Sequence, residues 1–552
     1  METKTFRTVS LGSLLLFAFI CFLLNPIGEF PLNDDWAFSR SVKTFSETGE
    51  IRYPDWSSIP FVSQFIIGGA FCKVFGFSFT LLRIVTLLTF CFLTILLLKS
   101  LCFVNTKRSF AVIGLLTFIL CPLSLNLSFS FMPDVYVLLF SLLSAFFFWR
   151  FFSSDKKIFF IGALVFSVAA SLSRQSAIVL PLAFALTFLF HKTINLKNIF
   201  IAALPLLLNL LALFLFEKLL LATNKLPANY NIQLHTITTS LFHPNPSALK
   251  NLLYYSQTAY VSIGILLFPV SVPLFLSWKK ENSPNQNAKT LYAVLLLLLL
   301  CGTVFKILLT QNYFPFAGNV FYPSGIGPVI LNGFDSQQFS VESLSGKILC
   351  SFISLAGTLS FFFILVLYIQ QLKIISKNKK QKEISLKDFV FIFSLLTCVL
   401  YVLPLSLSFI NDRYLLFVLP FILIALSCIE IKSQLNLKLS LALLLPIAWF
   451  SVCGTHDYLS LNRARWQALN YLTNEKKISA IEIDGGFEFN AWYLYGKAPY
   501  NPNHTGKWWW VQNDNYVVTP ADLPTYTTIK TIPFSSWKDF SKKDIKILCK
   551  TP

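Results

Sequence analysis

Asp34 and Asp35 stand side by side in "PLNDDWAFSRS", a few residues beyond the first hydrophobic run of the chain. Asp134 opens another apolar run in "SFMPDVYVLLF", and Arg174 lies between two more in "SLSRQSAIVLP". Arg413 and Tyr414 occupy the hairpin "SFINDRYLLFVLP", Lys306 falls near the end of a long leucine-rich run, and Lys73 closes "FVSQFIIGGAFCKVF". A carboxylate held near lipid headgroups, where the dielectric is reduced, can serve as a general base. A cation in a short, otherwise apolar connection needs an anion, and phosphate is one that guanidinium and ammonium groups bind well. A carboxylate base beside several phosphate-binding cations suits transfer of a group from a lipid-linked phosphate.

Each residue also has a plainer reading. The Asp34–Asp35 pair ends a span in water or caps the next helix, and Asp134 caps the helix after Pro133. Arg174, Arg413, Lys306 and Lys73 can each snorkel to a lipid phosphate. Asp34 and Asp35 are set apart by their C-terminal neighbours: Trp36 and a helix carrying Arg40 and Lys43 that folds back along the bilayer and keeps the acids near it.

The elements that must position these groups are helices in lipid. Of 552 residues 55% are hydrophobic and only 13% charged, and apolar stretches near 20 residues recur, each long enough to cross about 30 Å of hydrocarbon. Helices satisfy their own backbone hydrogen bonds there, so the class is a polytopic α-helical membrane protein. The spans read as 9–27, 78–102, 109–125, 133–151, 158–173, 176–190, 198–221, 250–277, 290–309, 348–372, 387–409, 412–429 and 437–453, about thirteen in all. The first has a basic start and resembles a signal peptide, but its core is long and no small-x-small site comes after it, so it is read as retained.

The net charge of +19 comes from basic residues in short loops. With no contiguous basic and aromatic surface, nucleic-acid binding is excluded, and the charge is a topology signal. With the N-terminus cytoplasmic, every inside loop carries Lys or Arg, from "NTKR" to "EIKSQLNLK", while "NDDW", "SFMPDVY" and "FINDRY" face outward. This places a multi-pass protein in the plasma (inner) membrane with an extracytoplasmic C-terminal part. The eleven cysteines are scattered in apolar runs without metal spacing, although Cys453 and Cys549 share the last segment. No phosphate-binding glycine loop occurs, so a nucleotide donor is unsupported.

Three outer segments are long. Residues 28–77 hold juxtamembrane helices lying along the surface, whereas 222–249 and 310–347 read as ordered loops or lids. The chain divides into a membrane domain, 1–454, and a small α/β domain, 455–552. In the latter "NRARWQALNYLTNEKK" suits a helix, and "ISAIEID", "NYVVT", "YTTIKTIPF" and "DIKILCK" suit strands. Trp508, Trp509 and Trp510 either bind sugar or acceptor or, the preferred reading, anchor this domain at the membrane interface.

The Asp-Asp pair in the first outer loop, the helices after it, "SFMPDVYVLLF", "LSRQSAIVLP", the "DRYLLFVLP" hairpin and the thirteen-span plan resemble membrane glycosyltransferases of GT-C type. The likeness is to the family 39-like group, the superfamily of protein O-mannosyltransferases and lipid A aminoarabinose transferases. The resemblance implies a GT-C fold and an enzyme, a hexosyl- or pentosyltransferase. It would move a sugar, with inversion, from a polyprenyl-phosphate-linked donor to a lipid, glycan or protein acceptor outside the cytoplasm. It also implies that Asp34 is the base and that Asp35 orients the acceptor or binds it or a metal. Asp134 is then the second-loop acid, and Arg174, then Arg413 and Lys306, meet the phosphate. The "DDWAFSRS" stretch lacks the Arg-Tyr that often comes after the pair in that group. A monophosphate can be handled by Arg and Lys alone, so a divalent cation is left open. The rival class is a transporter or lipid flippase without glycosyl transfer, which usually shows inverted repeats and polar groups at mid-membrane. A third is a non-catalytic scaffold, in which Asp34 and Asp35 are dispensable.

Overall fold

Short polar residues decide where the apolar helices begin. Asn195, Asn245, Asn285 and Asn436 each accept the backbone N–H three residues further on, as does Ser78, and Ser385 forms a reciprocal capping box with Asp388. The computed structural model describes residues 3–53, 56–243, 245–282, 284–380, 385–496, 510–511 and 513–551. The helices α1 (Thr3–Leu24), α2 (Asp35–Thr48), α3 (Val62–Phe75), α4 (Phe79–Phe103), α5 (Arg108–Ile119), α6 (Pro122–Ser128) and α7 (Pro133–Ser154) come first. Next are α8 (Lys157–Ser171), α9 (Val179–His191), α10 (Leu196–Ala222), α11 (Ile232–Phe242), α12 (Pro246–Leu266), α13 (Phe268–Glu281) and α14 (Gln286–Thr310). After two small hairpins come α15 (Leu344–Lys380), α16 (Leu386–Ser406), α17 (Val418–Ser427), α18 (Leu437–Asn470) and α19 (Phe487–Leu494).

Eight of these are long and apolar enough to cross a membrane, namely α1, α4, α7, α10, α14, α15, α16 and α18. The bent pairs α5–α6 (55°) and α12–α13 (78°) bring the number to ten. Both second members carry a proline in their first turn, where its missing N–H costs least and the preceding helix is broken. The other three expected spans are present as shorter apolar helices, α8, α9 and α17. Fifteen residues in α8 reach only about 22 Å, less than the hydrocarbon thickness.

The connections sort to two ends. At one, Lys107 Nζ donates to the Ser433 carbonyl (3.1 Å), Glu281 accepts the Lys432 N–H (2.9 Å), and Lys387 pairs with Glu430 (3.0 Å), so the basic loops lie together. At the other, Phe61 and Val62 N–H groups donate to the Ser173 and Leu172 carbonyls, and the Gln64 amide to that of Phe131. The expected helices of the first long connection, α2 and α3, are present and pack with Phe45 against Phe65. Within 222–249 the structure places a helix, α11, which the run "TITTS" of β-branched and hydroxyl residues hid. Residues 310–347 form the hairpins β1–β2 (Phe321–Tyr322, Gly325–Ile326) and β3–β4 (Ile330–Leu331, Phe334–Asp335).

The C-terminal strands are β5 (Ile483–Asp484), β6 (Tyr516–Thr519), β7 (Tyr526–Ser536) and β8 (Ser541–Lys550), in the order β5-β6-β8-β7. β5 runs parallel to β6 and the rest is antiparallel. The expected division at 454/455 falls inside α18, which continues from the bundle into this region without a linker. Asp457 on that helix accepts the Ser536 hydroxyl (2.7 Å) and the Trp537 and Lys538 N–H groups, and the His456 ring stacks on Trp537. Cys453 and Cys549 are both free thiols. Trp508 and Trp509 lie outside the described residues.

Candidate functional site

Asp34 immediately precedes α2, but its side chain makes no capping bond to that helix. One oxygen accepts Trp56 Nε1–H (3.1 Å) and the other lies 3.6 Å from Arg413 Nη1. The carboxylate is a fifth exposed, and Arg413 less so, with side-chain values of 21% and 13%. Water and a small acceptor group can therefore reach Asp34.

Asp134 occupies the first turn of α7, after Pro133, and again the side chain does not cap. Its Oδ1 accepts Arg174 Nη1–H at 3.0 Å in a pair that is almost fully buried, at 5% and 9% exposure. Its Oδ2 is buried with no hydrogen-bond partner among the described residues, as is Arg413 Nε. Arg174 sits in extended backbone between α8 and the turn Gln175–Ile178, and its guanidinium lies 3.9 Å over the Tyr414 ring. Burial opposes the Arg174 charge, but Tyr401, Tyr414 and Asp134 more than offset it and hold its pKa above the ordinary value.

Tyr414 joins the two pairs, because the Arg413 guanidinium also faces that ring at 5.6 Å. Both residues stand on the turn Asp412–Phe417, which Asp412 anchors by accepting the Val320 and Phe321 N–H groups (2.9 and 2.8 Å). Asp34, Asp134, Arg174, Arg413 and Tyr414, from four separate stretches of sequence, thus form one cluster at one end of the bundle. A like arrangement of two carboxylates and two guanidiniums can take a proton and hold an anion in the same place.

Asp35 belongs elsewhere. It is 3% exposed, and its two oxygens accept the Leu32 N–H (2.7 Å) and the Phe131 N–H (3.1 Å). Burial raises its carboxyl to about 8, against the pull of those donors and of Arg83. These contacts place Asp35 apart from the cluster, where the side chain fastens residue 32 to residue 131. Lys73 likewise makes no contact with the cluster among the described residues: it is exposed in the last turn of α3 and donates to the Ser46 carbonyl (3.3 Å).

Lys306 lines a different space. Its Nζ donates to the Phe314 carbonyl (2.7 Å) and lies 5.8 Å from the Tyr254 ring. The cavity beside it, about 570 Å³, is walled by Leu249, Leu253, Leu298, Phe305 and Leu309. A polar cavity of about 580 Å³ shares Tyr254 and Thr310 with it and extends to Asn319, Tyr322 and Asn411, the residue before the Asp412 turn. No group of three His, Cys, Asp or Glu side chains among the described residues is placed to hold a metal ion.

Four supporting residues escaped the sequence reading: Trp56, Arg83, Asp412 and Glu488. Arg83 is fully buried and donates to the Pro26, Gly28, Phe30 and Phe129 carbonyls, which ties the chain leading into the acid pair to the segment before α7. Its signal was present, a lone cation in "FTLLRIVTLL", the same kind that marked Arg174. Trp56 carries no such signal.

No family model and no curated protein matches the chain. Among solved structures it is similar to ArnT from Cupriavidus metallidurans. The crystal structure of that protein in the apo state shares 12% identity, with 87% of this chain and 84% of that one covered at a TM-score of 0.37. The crystal structure bound to undecaprenyl phosphate shares 12% identity, with 97% and 98% covered at a TM-score of 0.39. At this level the likeness assigns neither a residue nor a reaction to the chain.

Proposed function

We propose that the chain is a membrane glycosyltransferase of GT-C type, moving a hexosyl or pentosyl unit from a polyprenyl-phosphate-linked donor to an acceptor hydroxyl at the extracytoplasmic face. The observation that carries this reading is the convergence of Asp34, Asp134, Arg174, Arg413 and Tyr414 at one end of an otherwise apolar bundle. Asp34 takes the acceptor proton as the acceptor oxygen attacks the anomeric carbon from the face opposite the phosphate. The bond between that carbon and the phosphate oxygen breaks, its electrons stay on the oxygen, and the anomeric configuration inverts.

The leaving group changes from a monoanionic diester to a monoester of greater negative charge. Arg413 and Arg174 lower the barrier because they attract that developing charge from fixed positions. Arg413 Nε, buried without a partner among the described residues, supplies a donor for that charge. The apolar cavity beside Lys306 suits a lipid tail, with the ammonium at its polar end. Asp34 and Asp134 lie at one end of the bundle and the Lys-bearing loops at the other, which supports an orientation with the cytoplasm at the basic end. A transporter would instead gather its polar groups near mid-membrane.

The test compares cells carrying the wild-type chain with cells carrying Asp34→Asn, by mass spectrometry of surface lipids, glycans and proteins. A sugar present only with the wild type, at equal amounts of membrane-inserted protein, is the expected result. An identical product pattern rejects Asp34 as the base.

A further inference from the structure

An unrestrained carboxylate next to a helix start rotates about its side-chain bonds, and a general base must aim one lone pair at the acceptor proton. In this molecule both Asp34 oxygens are engaged, Oδ2 by Arg413 and Oδ1 by the Trp56 indole. The two restraints differ in kind. Arg413 also serves the phosphate in the proposed reaction, whereas Trp56 has no charge to offer and sits in irregular chain between α2 and α3.

What fixes the indole is the C-terminal region. The Trp56 ring lies 6.0 Å from Phe487, 5.6 Å from Trp510 and 6.5 Å from Tyr495, with Trp36 of α2 at 6.1 Å. Such aromatic clusters have defined ring geometry and little freedom. The backbone at the base is held from the same side, since the Asn33 N–H donates to Glu488 Oε1 (3.2 Å) and Glu488 Oε2 is paired with Arg465 (2.7 Å), both fully buried. Asn33 has a φ of 55°, so this bond holds a turn that would otherwise relax. Nearly two turns further along α2, Arg40 donates to the Ala491 carbonyl (2.9 Å) and to that of Trp492. Helix α19 and Trp510 therefore grip the segment carrying Asp34 at three places.

We propose that Trp56 is a positioning residue that aims the Asp34 carboxylate, and that α19 and Trp510 act on the reaction by setting where that indole stands. The inference rests on Asp34 being the base. It assigns the C-terminal region a part in the chemical step in addition to any part in docking.

Purified protein in liposomes is assayed with the polyprenyl-phosphate-linked donor of the sugar that the cell comparison identifies. Trp56→Phe keeps a ring against Phe487 and Trp510 and removes the N–H along with part of the indole's bulk. Loss of a hydrogen bond to a charged group predicts a fall in kcat of roughly 10-fold or more. KM for the donor should stay at the wild-type value, and the melting temperature should fall only by the small amount the lost ring atoms account for. Phe487→Leu leaves the donor on Trp56 but loosens its seat, and should lower kcat by a smaller factor with KM unchanged. It decides the matter if Trp56→Phe does not fold. Wild-type kcat in the folded variants overturns the inference, as does a loss of kcat matched by loss of melting temperature. An inactive Asp34→Asn beside a fully active Trp56→Phe refutes only the positioning role. An active Asp34→Asn refutes the base itself.

Discussion

The buried pair Asp134–Arg174 gives the sharpest energetic test, because stability and donor binding should respond differently to its removal. At 3.0 Å and an effective dielectric of about 20, the gross attraction is roughly 5 kcal/mol, and desolvation of both ions offsets much of it. Removing one partner leaves the other charged in a site less than a tenth exposed, which costs about 3–5 kcal/mol. Arg174→Met and Asp134→Asn should each lower the melting temperature in detergent clearly. The double variant, with no stranded charge, should recover most of that loss, because an ion pair replaced as a whole is far less costly than one broken. Binding of polyprenyl phosphate should behave otherwise. Arg174→Met and the double variant should both lose affinity by about 10-fold or more, since a charge-assisted hydrogen bond is gone in each. Single variants as stable as the wild type would refute the energetic reasoning. A double variant that regains both stability and affinity would show that Arg174 serves Asp134 alone and never meets the phosphate.

The same geometry sets two further outcomes. The Asp35 carboxyl, raised to about 8 in the fold against about 3.9 in an unfolded chain, makes the folded state bind the extra proton between those values. Stability should therefore fall as pH rises from about 4 to about 8, relative to Asp35→Asn, and parallel melting curves for the two proteins would contradict this. Helices α12 and α15 cross so closely at Gly264 that a methyl group there would stand 1.9 Å from the Gly357 carbonyl oxygen. Gly264→Ala should cost about 1–3 kcal/mol or more, because backbone must move. Gly12→Ala, with open space around it, is the control and should not lower the melting temperature.

The legible part of the sequence obeys one rule, that charge is costly in lipid. Asp34, Asp134, Arg174 and Arg413 were visible as charges at the edges of apolar runs, and they do come together. The same rule did not set Asp35 and Lys73 apart from the cluster, since it reports that a charge is out of place without reporting its partner. Asp35 spends its oxygens on the Leu32 and Phe131 N–H groups, a need created by a tight connection. Lys73 settles on the Ser46 carbonyl of the neighbouring helix. Backbone groups as partners leave no mark in residue types, so these two could not be told from Asp34 and Arg174 by spacing.

The supporting residues show a second limit. Trp56 and Glu488 lie 432 positions apart, and each matters only through what the other region places beside it: Trp56 stacks near Phe487, and Glu488 accepts the Asn33 N–H. Neither residue type is unusual where it stands. A tryptophan in an outer loop reads as an interfacial anchor, and an acid in "GGFEFNAW" reads as a solvated face. The short helix α19 was itself missed, because its eight residues are apolar nearly all round and show no stripe. That uniform apolarity has a physical cause, since Phe487, Phe489, Ala491 and Leu494 are all buried, against α2 on one side and the sheet region on the other. With Tyr493 its one exposed side chain, α19 is held on several sides, which is what the proposed aiming of Asp34 through Trp56 demands of it.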